Sequence, residues 1–109
     1  MQRMKLSAPV ANYFAAANAQ DIDGVVANFG DDAVVRDEGQ ERQGAIAIRR
    51  WAVEVSKKYR PTVEPLDAAE ANGKTILTCR VSGDFPGSPI ELRYVFTLDG
   101  GKIRRLEIS

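Results

Sequence analysis

Histidine is absent from the 109 residues, and cysteine and tryptophan occur once each. The missing imidazole excludes the most. Serine and cysteine hydrolases of the usual kind need it to take the nucleophile's proton, and zinc sites draw on it or on several thiolates. Proton transfer in this chain therefore falls to carboxylate, tyrosine, lysine or ordered water. A single cysteine, Cys79 in TILTCRV, allows neither a disulfide framework nor a CxxC metal pair, which fits a reducing compartment. Charge of one sign is missing too. Fifteen acidic and fifteen basic residues cancel, and like charges never run beyond two or three together, so the basic footprint of a nucleic-acid binder is not there. No apolar run is long enough to cross a bilayer, and MQRMKLSAPVANYF lacks a signal peptide's cleavage pattern. A cytoplasmic protein, with no nucleic-acid or membrane partner, is the expectation.

What is present fits one domain over residues 1–109, long enough to hide roughly two-thirds of the surface its unfolded chain exposes. Ser7 and Pro9 open an alanine-rich stretch with Val10, Phe14 and Ala17 at helical spacing, predicting a helix over 8–18. Asp21 is placed to cap a second helix whose face is Ile22, Val25, Val26 and Phe29, ended by Gly30 and two aspartates that start a turn. AVVRD reads as a strand and EGQERQG as its turn. AIAIRRWAVEVSKKY reads as a third helix with Ile48, Trp51, Ala52, Val55 and Tyr59 on one side, stopped by Pro61.

From there the period changes to alternation. TVEPLDAAEA, KTILTCRVSGDF, PIELRYVFTL and KIRRLEIS are separated by Asn72-Gly73, Pro86-Gly87 and Asp99-Gly100-Gly101, predicting a meander of antiparallel strands. In the third of these, Ile90, Leu92, Tyr94, Phe96 and Leu98 share one face. Helices followed by hairpins imply an α+β domain, three N-terminal helices packed on a curved, mostly antiparallel β-sheet. Apolar residues on both faces of the later strands imply a homodimer through the outer sheet face.

YFAAANAQDIDGVVANFGDDAVVRD, followed by QGAIAIRRW, resembles the nuclear-transport-factor-2-like superfamily, which includes SnoaL-type polyketide cyclases and ketosteroid isomerases. The resemblance covers nearly the whole chain and implies a cone-shaped pocket between helices and sheet. It also implies roles. In the ketosteroid-isomerase pattern a tyrosine on the first helix donates to the substrate carbonyl and an aspartate ending the first strand moves the proton; Tyr13 and Asp37 stand at those points. Phe14, Phe29, Trp51, Tyr94 and Phe96 are the expected apolar walls. The chain departs from that pattern where a second oxyanion donor, a neutral carboxylic acid, is expected on a late strand: ELRYVF offers Arg93 or Tyr94 instead.

Three readings follow. One is a cofactor-independent isomerase or cyclase acting on a small apolar carbonyl ligand, without metal, with Asp37 as general base and Tyr13 as donor. A second is a non-catalytic ligand-binding or dimeric association module on the same scaffold. The third is water activation of the epoxide-hydrolase type, with Arg80 and Glu107 joining Asp37. Cys79 is expected to be core packing.

Overall fold

The computed structural model describes residues 5–109. Helix α1 (Ala8–Asn18) starts after Ser7, which is extended at ψ 155, with proline in its first turn, and it buries Val10, Tyr13 and Phe14 on one stripe. Helix α2 (Ile22–Ala27) is capped by Asp21, whose side chain accepts from the Gly24 N–H at 3.0 Å. A methyl group on Gly24 would meet that carboxylate at 2.5 Å, so the cap requires glycine there. Helix α3 (Ala45–Tyr59) buries Ile48, Trp51 and Ala52, carries Lys57 and Lys58 in its last turn, and ends at Arg60 in a left-handed conformation before Pro61.

Six strands follow or interleave: β1 (Phe29–Asp37), β2 (Gln40–Gln43), β3 (Thr62–Ala71), β4 (Lys74–Ser82), β5 (Ile90–Asp99) and β6 (Lys102–Ile108). Among the described residues they make one open sheet in the order β2-β1-β6-β5-β4-β3, in which β1 and β6 run parallel and the remaining neighbours antiparallel. This is the expected α+β arrangement of three helices on one sheet. The helices cover one face, where Val35, Leu77, Cys79, Phe96, Ile103 and Leu106 are sealed beneath them with Val10 and Ile48. Burying a side chain the size of Phe96 stabilises the fold by about 1.5–3 kcal/mol.

Two local expectations are corrected. Phe29 does not belong to the second helix: α2 stops after six residues, Asn28 Nδ2 returns to the Gly24 carbonyl at 2.8 Å, and Phe29 pairs with Ile103 as the first residue of β1. Pairing with β6 buries the Phe29 ring, and Asp31 and Asp32, expected in a turn, become exposed strand residues at the register shift between Phe29 and Val34. EGQERQG is likewise more than a turn. Glu38 and Gly39 alone make it, with φ of 54 and 74, and Gln40–Gln43 returns along Val34–Asp37 as β2. Two successive positive φ values are what a tight hairpin turn demands, and glutamate is a poor advertisement for the first of them.

The outer face of the sheet carries ion pairs beside the apolar Ile76 and Val95, which pair across β4 and β5. Arg80 meets Glu64 at 3.3 Å, and Arg105 meets Glu107 at 2.8 Å and Glu41 at 2.9 Å. Among the described residues no helix is long and apolar enough to cross a membrane.

Candidate ligand pocket

Alternation along β1 and its abrupt end fix Asp37. It is the last strand residue before the Glu38-Gly39 turn, half-buried, with Gln40 opposite it on β2. Helix α3 packs against this strand and brings one donor to each of two consecutive carboxylates. Trp51 Nε1–H donates to Asp37 Oδ2 at 3.0 Å, and two turns on, the Tyr59 hydroxyl donates to Glu38 Oε1 at 2.7 Å. Residues four and eight apart share a helix face, so Trp51, Val55 and Tyr59 form one wall.

That wall borders two adjoining spaces. An inner chamber of about 60 Å³ is bounded by Tyr13 from α1, Trp51 and Ala52 from α3, Tyr94 from β5, and Asp37. A wider outer cleft of about 680 Å³ adjoins it, walled by Tyr59, Val81, Phe85, Ile90 and Leu92. Asp37, Val55, Pro61, Tyr94 and Ile108 border both, so the carboxylate stands where the two meet. The chamber holds a few waters or one small head group, at about 10–15 Å³ of such space per water, while the cleft has the size of an ordinary small-molecule site.

Burial dominates the electrostatics. It raises the Asp37 carboxyl above its ordinary value; the Trp51 N–H pulls it partly back and the Glu38 charge adds to the rise. Burial pushes the Tyr13 phenol well up, helped by Tyr94 and by the Asp37 charge. Tyr94 is raised by burial, then by Cys79 and Asp37, so both phenols remain protonated donors. Among the described residues no protein group hydrogen-bonds either hydroxyl, and no enclosed side-chain polar atom lacks a partner, so both hydroxyls keep some exposure, on residues that border the chamber. Burial also pushes the Cys79 thiol up to about 12; it is an inert core residue, fully enclosed.

Of the residues expected at the site, Asp37, Tyr13, Trp51 and Tyr94 come together. Phe14, Phe29 and Phe96 line neither space. They stand behind it: Tyr13 meets Phe14, Phe29 and Phe96 edge-on at centroid distances of 5.2, 5.9 and 5.5 Å, and Phe14 meets Tyr94 at 5.6 Å. Arg80 and Glu107 lie on the outer face in their own ion pairs and are not brought to Asp37. Sequence reasoning missed the outer cleft, including Glu38, Phe85, Val55 and Pro61. Tyr59 carried a usable signal, being eight residues after Trp51 on the same helix face. Phe85 carried none, because it lies between strands where no period applies; it meets the Tyr59 ring edge-on at 5.9 Å.

A helix-covered, open sheet whose cavity opens beside the end of β1 defines a cone-shaped α+β class of pocket proteins. Within it, the SnoaL-like domain model matches residues 10–106, and the chain belongs to that family. A candidate polyketide cyclase from Sinorhizobium meliloti is 43% identical, with a TM-score of 0.94 and complete coverage of both chains. A cystatin-fold protein from Novosphingobium aromaticivorans is 24% identical (TM-score 0.78; 98% of this chain, 99% of the other), and shares the fold. So does the epoxide hydrolase/cyclase-like enzyme SalBIII of pyran ring formation in the polyether salinomycin, at 24% identity and TM-score 0.80, covering 92% of this chain and 85% of that one.

Proposed function

We propose that this SnoaL-like protein binds a small apolar carbonyl compound and acts on it as a cofactor-independent isomerase or cyclase. The observation that carries the reading is the convergence of Asp37, Tyr13 and Tyr94 on one small chamber between helices and sheet. Asp37 is the general base, removing a proton from the carbon next to the carbonyl and returning it to the product. Tyr13 donates to the oxygen on which negative charge accumulates, and Tyr94 is the second donor in place of a neutral acid. A carboxyl with raised proton affinity is a stronger base than an exposed one, and donors act more strongly where water is scarce. Trp51 orients the base through its indole N–H. The likeness to a candidate polyketide cyclase at 43% identity supports a cyclase-type activity. A homodimer through the outer face belongs to the same reading, with Ile76 and Val95 paired across β4 and β5 as its apolar contact; sedimentation at micromolar concentration tests it.

The catalytic test is deuterium exchange next to the carbonyl of a panel of apolar ketones in D2O, followed by NMR. The wild type is expected to exchange at least one of them, and Asp37→Asn to lose on the order of a hundredfold or more, with Tyr13→Phe losing about as much. Binding without exchange in the wild type would instead establish a ligand-binding module. Exchange that Asp37→Asn leaves untouched would remove Asp37 as the base.

A further inference from the structure

The inner chamber carries a charge without a counter-charge. Among the described residues lining it, Asp37 is the one carboxylate and no lysine or arginine reaches the wall. The groups that hydrogen-bond Asp37 are neutral, the Trp51 indole and the Glu38 backbone. Arg42 is the cation that acts on it, and that guanidinium is committed on β2, 2.6 Å from Gln40 and 3.5 Å from Glu54. The outer cleft adds Glu38 and one cation, Arg36, which faces Glu41 at 3.6 Å. A half-buried carboxylate served only by neutral donors is left wanting a positive charge. The remaining walls favour the same sign. Tyr13, Trp51 and Tyr94 border the chamber, and aromatic rings attract cations over their faces most strongly where water is displaced.

We propose that the chamber is a binding site for the head group of a protonated tertiary amine. Its methylated ammonium sits among the rings of Tyr13, Trp51 and Tyr94, its N–H donates to Asp37, and its apolar remainder lies in the outer cleft along Val81, Phe85 and Leu92. A head group of that kind matches the small volume of the chamber, whereas a ring belongs in the cleft. The inference uses the same cavity as the proposed reaction but requires no catalysis. In a catalytic protein such an amine is a competitive ligand, because head group and carbonyl claim the same space.

Trp51 is the sole tryptophan and sits at the site, so its emission reports occupancy without a label. The probes are N,N-dimethyl-2-phenylethylamine and its neutral, nearly isosteric counterpart 4-phenylbutan-2-one, titrated at neutral pH with calorimetry as a second readout. The amine is expected to bind tighter than the ketone by about tenfold or more, the worth of one desolvated ion pair or cation contact. Asp37→Asn, checked for folding by its thermal transition, should abolish that preference, and Tyr94→Leu should weaken the amine several-fold more than the ketone. Equal or tighter ketone binding overturns the cation inference while leaving the cavity a ligand site. If neither probe changes Trp51 emission, heat or melting temperature, the cation inference falls, while the carbonyl reading stands or falls on exchange across the ketone panel.

Discussion

Two groups of aromatic residues face each other across a few ångströms in this protein and differ in one respect, whether the ring ends in a polar atom. Phe14, Phe29 and Phe96 form the dry side, packed edge-on and shut off from both cavities. Tyr13, Trp51 and Tyr94 form the polar-tipped side, equally buried by surface area yet bordering the chamber, with the Trp51 N–H on Asp37. The hydrocarbon group holds the domain together, and the tipped group lines the cavity it leaves. Aromatic burial is therefore not one quantity here. A phenylalanine contributes packing, while a tyrosine at the same exposure carries a hydroxyl that has not been spent on the protein.

Substitutions can break this contrast, and their effects on stability should descend in order. Phe96→Ala, in the fully enclosed group, should cost about 3–5 kcal/mol in urea unfolding, the usual range for emptying a phenylalanine from a core. Trp51→Phe keeps an aromatic side chain but loses both the donor to Asp37 and the bulk of the second ring, costing about 1–3 kcal/mol. It should also push the Asp37 carboxyl further up, read from the carboxyl carbon by NMR titration, since the indole N–H is what draws it down.

Asp37→Asn should have a smaller effect of the opposite sign. A carboxyl whose folded pKa lies above its unfolded value gives stability that is complete below the unfolded value and is lost as pH rises through the folded one. Asp37 is raised from 3.8, mainly by burial, so at neutral pH its charge is a burden that asparagine does not carry. The variant should melt higher than wild type at pH 7.5, and the gap should close as pH falls below about 4. Tyr13→Phe comes last, within about 0.5 kcal/mol of wild type, because its hydroxyl has no protein partner among the described residues. A loss of 2 kcal/mol or more there would erase the distinction between the two groups.

Much of this was legible in the chain. Asn72-Gly73 and Asp99-Gly100-Gly101 mark their hairpins because asparagine and glycine tolerate positive φ, as Asn72 at 54 and Gly73 at 75 show. The α3 pattern from Ala45 to Tyr59 was readable to the residue, since Gly44 and Pro61 bracket it. Phe29 was not, because a six-residue helix and a strand start offer the same local string, and the choice is made by Ile103 on a distant strand. The pairing of Trp51 with Asp37 depends on how α3 docks across β1, a tertiary event that spacing along the chain does not encode. Which aromatics would wall the cavity and which would fill the core was hidden for the same reason.

Strand β6 lies between β1 and β5 and supplies β1's neighbour on the side away from β2. As the chain leaves the ribosome, α1, α2, β1 and α3 are all made well before the strand that β1 must lie against. Until β6 arrives, β1 exposes an unpaired edge and the base of the pocket has no finished floor. Asp37 meets Gln40 and Trp51 within 14 residues of itself, while the chamber wall that Tyr94 and Ile108 supply is made last, and the protein's long-range pairings should make its folding slow relative to helical domains of this size.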